Sequence, residues 1–134
     1  MDNPLIYELH DWKSLSESKL KEKLLLIEKL IPEPVKTIVD VGCGNGVITN
    51  FLGKKYDVVG VDRSEKAIGF VEGKKILASC DNIPLSDNSF DLVLSSELLE
   101  HLEPTVFYKT IGELSRLTKK YILITVPNQE NPDK

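Results

Sequence analysis

Three glycines spaced two apart, Gly42, Gly44 and Gly46, follow Asp40 in the stretch Val39-Asp-Val-Gly-Cys-Gly-Asn-Gly-Val-Ile-Thr49. An apolar strand that breaks into glycines and then into a helical pattern lets a ligand lie against the backbone. The neighbouring residues narrow the choice of ligand. A phosphate-binding GxxxxGK[ST] loop needs a lysine, and none occurs here before Lys54. A dinucleotide GxGxxG loop needs its third glycine at position 47, where Val47 stands, while Gly46 comes one residue early. Asp40 would face badly toward a pyrophosphate. The ligand this loop suits carries positive charge near Asp40, as an amino-acid ammonium or a sulfonium does.

Two further groups could do chemistry. A second apolar run ends in Asp62, and a carboxylate at a strand end can accept two hydrogen bonds from a ribose diol. The plainer role, capping the next helix, falls better to Ser64. Glu97, Glu100 and His101 then cluster in "SSELLEHL" (95–102) at the end of another apolar run.

These residues need elements to position them. Five β-branched, apolar runs recur, at 37–41, 57–62, 75–79, 90–96 and 121–127. They are continuous rather than alternating, as strands buried on both faces of a parallel sheet are. A first helix is expected to place Leu20, Leu24, Ile27 and Ile31 on one face, with Ser14 and Glu17 spaced as a capping box and Pro32 and Pro34 closing it. A second should run from Val47 to Leu52, a short third should follow Ser64, and a fourth should start near Thr105 with Phe107, Ile111 and Leu114 inward. Only "CDNIPLSDNSF" (80–90) lacks helical periodicity and reads as a loop, with a turn at Asp87-Asn88. This alternation predicts an α/β fold: a doubly wound (Rossmann-like), mostly parallel sheet of about five strands with helices on both faces. Ligands of such sheets bind beyond the carboxyl ends of the strands, where the strand order reverses.

The chain's 134 residues fit one domain, divided into an N-terminal helix (1–34), a core (35–128) and a tail (129–134). A net charge of −4 without a basic block disfavours non-specific binding to nucleic acid or an anionic membrane. The N-terminus has no signal-peptide pattern and no apolar run is long enough to span a bilayer. Cys43 and Cys80 have neither CxxC nor Cys/His spacing, so two free thiols in a reducing cytoplasm are expected.

Asp-Val-Gly-Cys-Gly-Asn-Gly (40–46), Val-Gly-Val-Asp (59–62) and "IPLSDNSFDLVLSSELLEHL" (83–102), in this order and spacing, resemble class I S-adenosylmethionine-dependent methyltransferases over residues 35 to 128. The resemblance implies that the glycine loop, with Asp40, Gly42, Cys43 and Gly44, carries the methionyl part of the cofactor and that Asp62, with Arg63 beside it, holds the ribose. It implies adenine contacts at Ser79 and Cys80, where related sequences have an Asp-Ala pair, with Asp81 as a substitute, and a further cofactor contact at Ser96. The Glu-x-x-Glu-His segment resembles the metal motif of small-RNA 2′-O-methyltransferases and a segment of ubiquinone-pathway O-methyltransferases. Glu97, Glu100 and His101 would on that basis bind Mg²⁺ or Mn²⁺ and activate a hydroxyl. Without a metal, His101 and then Glu97 are the candidate bases, and the acids are ordinary first-turn residues of a helix.

The function expected is methyl transfer from S-adenosylmethionine to an unidentified acceptor, a small molecule before RNA. The rival is a cofactor-binding regulatory or adaptor domain of the same fold without catalysis. The family's C-terminal hairpin is missing from this sequence, through truncation or because this is a minimal form, and without it the fifth strand would be an edge through which two copies could pair. No membrane partner is expected.

Overall fold

A computed structural model describes residues 17–127. Ser14 of the expected capping box and the tail lie outside the described residues. Among the described residues, five strands and four α-helices alternate: α1 (Glu17–Leu30), β1 (Thr37–Val41), α2 (Val47–Leu52), β2 (Asp57–Asp62), α3 (Glu65–Ile68), β3 (Lys74–Leu77), β4 (Phe90–Ser96), α4 (Pro104–Leu117) and β5 (Thr118–Thr125), with a 3₁₀ turn at Leu99–His101. All strand pairs are parallel and the order is β3-β2-β1-β4-β5, so the order reverses between β1 and β4. The expected doubly wound sheet is present.

The continuous apolar runs are explained by two cores, one on each face. Val39, Val41, Val61 and Val93 point toward α4, where Leu114 and Leu117 meet them. Ile38, Val58, Leu92 and Leu94 point the other way, toward Ile27 and Ile31 of the α1 region and Ile48 and Leu52 of α2. Because strand side chains alternate in direction, a strand buried on both faces must be apolar at every position. Leu24 joins the second core only as a partly buried residue. Leu20 is half-exposed.

Strands β1, β2 and β4 fall where their sequence predicts, and the outer two differ. β3 ends at Leu77 because Ser79 turns back to bridge Asn82 in antiparallel fashion. β5 begins at Thr118, not 121, and stops at Thr125. Its first three residues, Thr-Lys-Lys, look polar in sequence because they sit at the sheet's exposed edge; the Thr118 hydroxyl closes a local turn by donating to the Tyr121 carbonyl and accepting from the Lys120 N–H. At the far end, β4 and β1 are tied by Asp91, whose carboxylate accepts the N–H groups of Lys36 and Thr37. The Thr37 hydroxyl in turn accepts the Asp91 N–H at 2.9 Å.

The connection from β3 to β4 has no helix, as its aperiodic sequence predicts, and Asn88 takes the positive φ of 53° that its turn requires. A loop lying on a core has backbone groups to satisfy. Arg116 of α4 does this by donating to the carbonyls of Ile83 at 2.9 Å and Leu85 at 2.6 Å. Glu113, ion-paired with Arg116, accepts the Ile83 N–H at 2.7 Å. These hydrogen bonds hold the Glu113 carboxyl below its ordinary range. Replacing Arg116 by alanine strands two carbonyls and the Glu113 carboxylate. We expect Arg116→Ala to destabilise the chain by about 1–3 kcal/mol, read as a lower urea midpoint; an unchanged midpoint would show that the loop holds without the pair.

Candidate active site

The glycine loop leaves β1 at its carboxyl end, beside the point where strand order reverses. Gly42, Gly44 and Gly46 all have positive φ, at 76°, 56° and 82°. At two of them an internal reason for glycine exists besides any ligand. A Cβ on Gly42 would meet the Leu98 side chain at 2.9 Å, and one on Gly46 would meet Val71 at 2.8 Å. Gly44 has a different tie: its N–H donates to Asp62 Oδ2 at 2.8 Å. Asp62 Oδ1 accepts the N–H of Ser64 at 2.9 Å, while the Ser64 hydroxyl caps α3 by accepting the Ala67 N–H. Ser64 therefore caps the helix, as the sequence predicts. Asp62, 8% exposed, joins the end of β2 to the glycine loop.

Asp40 lies beneath the loop, 1% exposed, and accepts a 2.7 Å hydrogen bond from the Thr49 hydroxyl in the first turn of α2. Burial raises its carboxyl to about 7; the Thr49 bond partly opposes this, and the nearby Asp62 charge adds to it. Cys43, also buried, has its thiol pushed upward by burial and by both carboxylates, so it is a packed thiol and no nucleophile. Two carboxylates thus converge on one loop. Asn45 Oδ1, in the loop, and Ser95 Oγ, on β4, are buried without a hydrogen-bond partner among the described residues. The arrangement suits a ligand that brings positive charge and hydrogen-bond donors, as an amino-acid ammonium, a sulfonium and a ribose diol do.

The remaining sequence candidates separate. Arg63 is exposed beside Asp62. Ser79 is exposed and donates to Asp81, so these two expected adenine contacts share one turn after β3. Cys80 is turned inward and accepts from the Thr110 hydroxyl of α4 at 3.2 Å. Ser96 is buried against the Thr125 hydroxyl at 2.8 Å. Glu97, Glu100 and His101 are not brought together as ligands. Glu97 lies before the 3₁₀ turn with φ of 52°, its N–H donates to the Thr125 carbonyl, and its carboxylate pairs with Lys23 of α1. Glu97 is therefore not a first-turn residue of a helix, and only Glu100 and His101 lie on the 3₁₀ turn. His101 Nε2 and Glu100 Oε2 are 3.6 Å apart on the surface, and no group of three His, Cys, Asp or Glu side chains placed to hold a metal occurs among the described residues. Thr49, Asn45 and Lys23 were not singled out by the sequence. Thr49 had a signal, standing on the first turn of a helix that packs back on Asp40; Lys23 had none.

A second concavity, about 520 Å³, is lined by Asn82 to Ser86 with Glu113 and Arg116. Its two charged groups are already paired with each other and with the loop, so the chemistry points to the glycine loop instead.

Residues 39–123 match the family model described as "Methyltransferase domain". This chain belongs to the class I S-adenosylmethionine-dependent methyltransferases. An S-adenosylmethionine-dependent methyltransferase of Archaeoglobus fulgidus has a similar structure, with a TM-score of 0.76 and 25% identity over 95% of this chain and 59% of that one. An uncharacterised protein of Methanocaldococcus jannaschii is 30% identical over 83% of this chain and 49% of its own length. A ubiquinone biosynthesis O-methyltransferase of Sinorhizobium fredii is 31% identical over 59% of this chain and 37% of its own length. This methyltransferase-fold chain thus spans half or less of those two curated relatives.

The buried Asp40 gives the domain a measurable pH signature. Between its ordinary value of 3.8 and about 7, the folded chain keeps a proton that the unfolded chain has lost. Stability without ligand should therefore fall as pH rises through that interval. Asp40→Asn should lose this component, seen by comparing urea midpoints at about pH 5.5 and about pH 8; equal slopes in both proteins would remove Asp40 as its source.

Proposed function

We propose that this chain binds S-adenosylmethionine over the 42–46 loop and transfers its methyl group to a small-molecule acceptor. The observation that carries the reading is the Asp62 carboxylate, which is buried at the strand end and fastened to Gly44, and so faces the same ligand as Asp40. When bound, the cofactor supplies a methyl group on a sulfonium, open to in-line displacement. The chain's part is to hold and orient: Asp62 accepts from the ribose diol, Asp40 and the loop receive the cationic methionyl end, and the Ser79–Asp81 turn borders the adenine. Arg63, Cys80 and Ser96 serve as flanking contacts or packing. Positioning of donor against acceptor supplies most of the rate, as expected for a bimolecular displacement.

The names of two relatives, a ubiquinone biosynthesis O-methyltransferase and a phosphoethanolamine N-methyltransferase of Arabidopsis thaliana, support a small acceptor over RNA. For an oxygen acceptor, His101 is the better base, because Glu97 is engaged by Lys23. Mg²⁺ or Mn²⁺ at Glu97, Glu100 and His101 would require that ion pair to open and the strand-end turn to re-form. The geometry therefore favours transfer that persists in EDTA. We place the chain in the cytoplasm, in keeping with its two free cysteines. Among the described residues, no helix is long and apolar enough to cross a membrane.

A screen with labelled S-adenosylmethionine over small hydroxyl, amine and carbon acceptors tests the activity. Binding without transfer to any of them would favour a cofactor-binding domain without catalysis. Calorimetry with S-adenosylhomocysteine tests the site. Asp62→Ala should weaken binding by about 1.5–3 kcal/mol, the size of a lost hydrogen bond to a charged group. Gly44→Val should abolish binding while circular dichroism shows the fold retained. Unchanged affinity in both variants would move the ligand elsewhere.

A further inference from the structure

Asp40 and Asp62 share one buried end of the sheet, and the chain supplies them unequally. Asp62 accepts two backbone N–H groups, from Gly44 and Ser64. Asp40 accepts one hydroxyl, that of Thr49 at Oδ2. Its register partners on the neighbouring strands are Gly60 of β2 and Leu94 of β4, and neither side chain can donate to it. Lys23 of α1, at this end of the sheet, is engaged by Glu97. The titratable groups that bear on Asp40 are the Asp62 carboxylate and the Cys43 thiol, and neither brings positive charge.

Two carboxylates close together in a poorly solvated place do not both stay charged, and the proton goes to the one with fewer donors. Here that one is Asp40, in keeping with a carboxyl that burial above all raises to about 7. Thr49 does not oppose the protonated form, since its hydroxyl can donate to one carboxyl oxygen while the other carries the proton. The Cys43 thiol, pushed upward, keeps its own proton throughout. The same loop holds a buried acceptor without a donor among the described residues, Asn45 Oδ1. An ammonium group brings one positive charge and three N–H donors, which are what Asp40 and Asn45 lack.

We propose that Asp40 is protonated in the empty chain and gives its proton to solvent when the cofactor's methionyl ammonium arrives, so that cofactor binding releases a proton and tightens as pH rises. This rests on the placement of the cofactor over the 42–46 loop. The sign follows from linkage. Below the pH at which Asp40 ionises in the empty chain, binding must first remove a proton, and affinity falls up to about tenfold for each unit of pH. Above that pH the carboxylate is already formed and affinity levels off. In the complex the ammonium holds Asp40 ionised to much lower pH. The proton that stabilises the empty fold therefore competes with the cofactor. The chain gathers its cofactor at neutral pH and above, and gives it up in mild acid.

Calorimetry with S-adenosylhomocysteine, in buffers of low and of high ionisation enthalpy, reads the released proton directly. The ligand's own carboxylate, ammonium and adenine do not titrate in the interval used. Affinity should be about tenfold or more weaker at about pH 5.5 than at about pH 7.5, with close to one proton released per ligand at the lower pH. Asp40→Asn should remove both the pH dependence and the proton release. Thr49→Val, which withdraws the donor that favours the ionised form, should move the midpoint of the pH dependence upward. Affinity that does not change with pH overturns the proposal, as does proton release that persists in Asp40→Asn and so belongs to His101 or another group. An unmoved midpoint in Thr49→Val overturns it equally, even where Asp40→Asn binds too weakly to measure. No binding at either pH overturns the placement of the cofactor itself, and the proposal with it.

Discussion

The pair of hydrogen bonds that Asp62 accepts from the Gly44 and Ser64 amides is the constraint on which the site depends. It makes one unit of three pieces of chain: the loop after β1, the end of β2 and the start of α3. A carboxylate bonded to backbone N–H groups cannot wander, so the loop keeps its left-handed turns without a ligand. The internal reasons for Gly42 and Gly46 fit the same picture, since Leu98 and Val71 pack into the space that side chains would need. The loop is a preformed platform supported from below.

Electrostatics on this platform runs one way. Asp40 and Asp62 stand near each other, and burial disfavours the charge on Asp40 until a cation arrives. An anionic phosphate would be repelled, which is the physical reason that this glycine loop belongs to a methyltransferase and not to a dinucleotide enzyme. The opposite face of the sheet is occupied with support. There the Arg116–Glu113 pair replaces the backbone hydrogen bonding that a helix between β3 and β4 would have supplied, and keeps the 78–89 loop on the core.

Much of this was legible in the sequence because it is local. The glycine spacing, Asp62 at a strand end and Ser64 as a cap each follow from short-range chemistry, and β1, β2, β4 and α2 follow from unbroken or periodic apolar runs. What was not legible depends on partners distant in sequence. Glu97 read as a first-turn acid because its spacing from Glu100 and His101 suits a helix. Its actual state is set by Lys23 and by the Thr125 carbonyl, 28 residues further along the chain. The start of β5 was hidden because Thr118, Lys119 and Lys120 are polar residues on an edge, where the pattern of a buried strand does not apply. The turn after β3 shows the same limit: Ser79 donates to Asp81, two residues on, while Cys80 packs against Thr110, a partner 30 residues away that the local sequence does not reveal.

The central claim is that the ligand lies on the 42–46 loop against Asp62, and backbone amide NMR during titration with S-adenosylhomocysteine tests it most directly. The account predicts the largest shifts at Gly44, Asn45, Asp62 and Arg63, with small changes at Ile83 and Leu85. Shifts confined to residues 82–86 and Arg116, or none at saturating ligand, would contradict it.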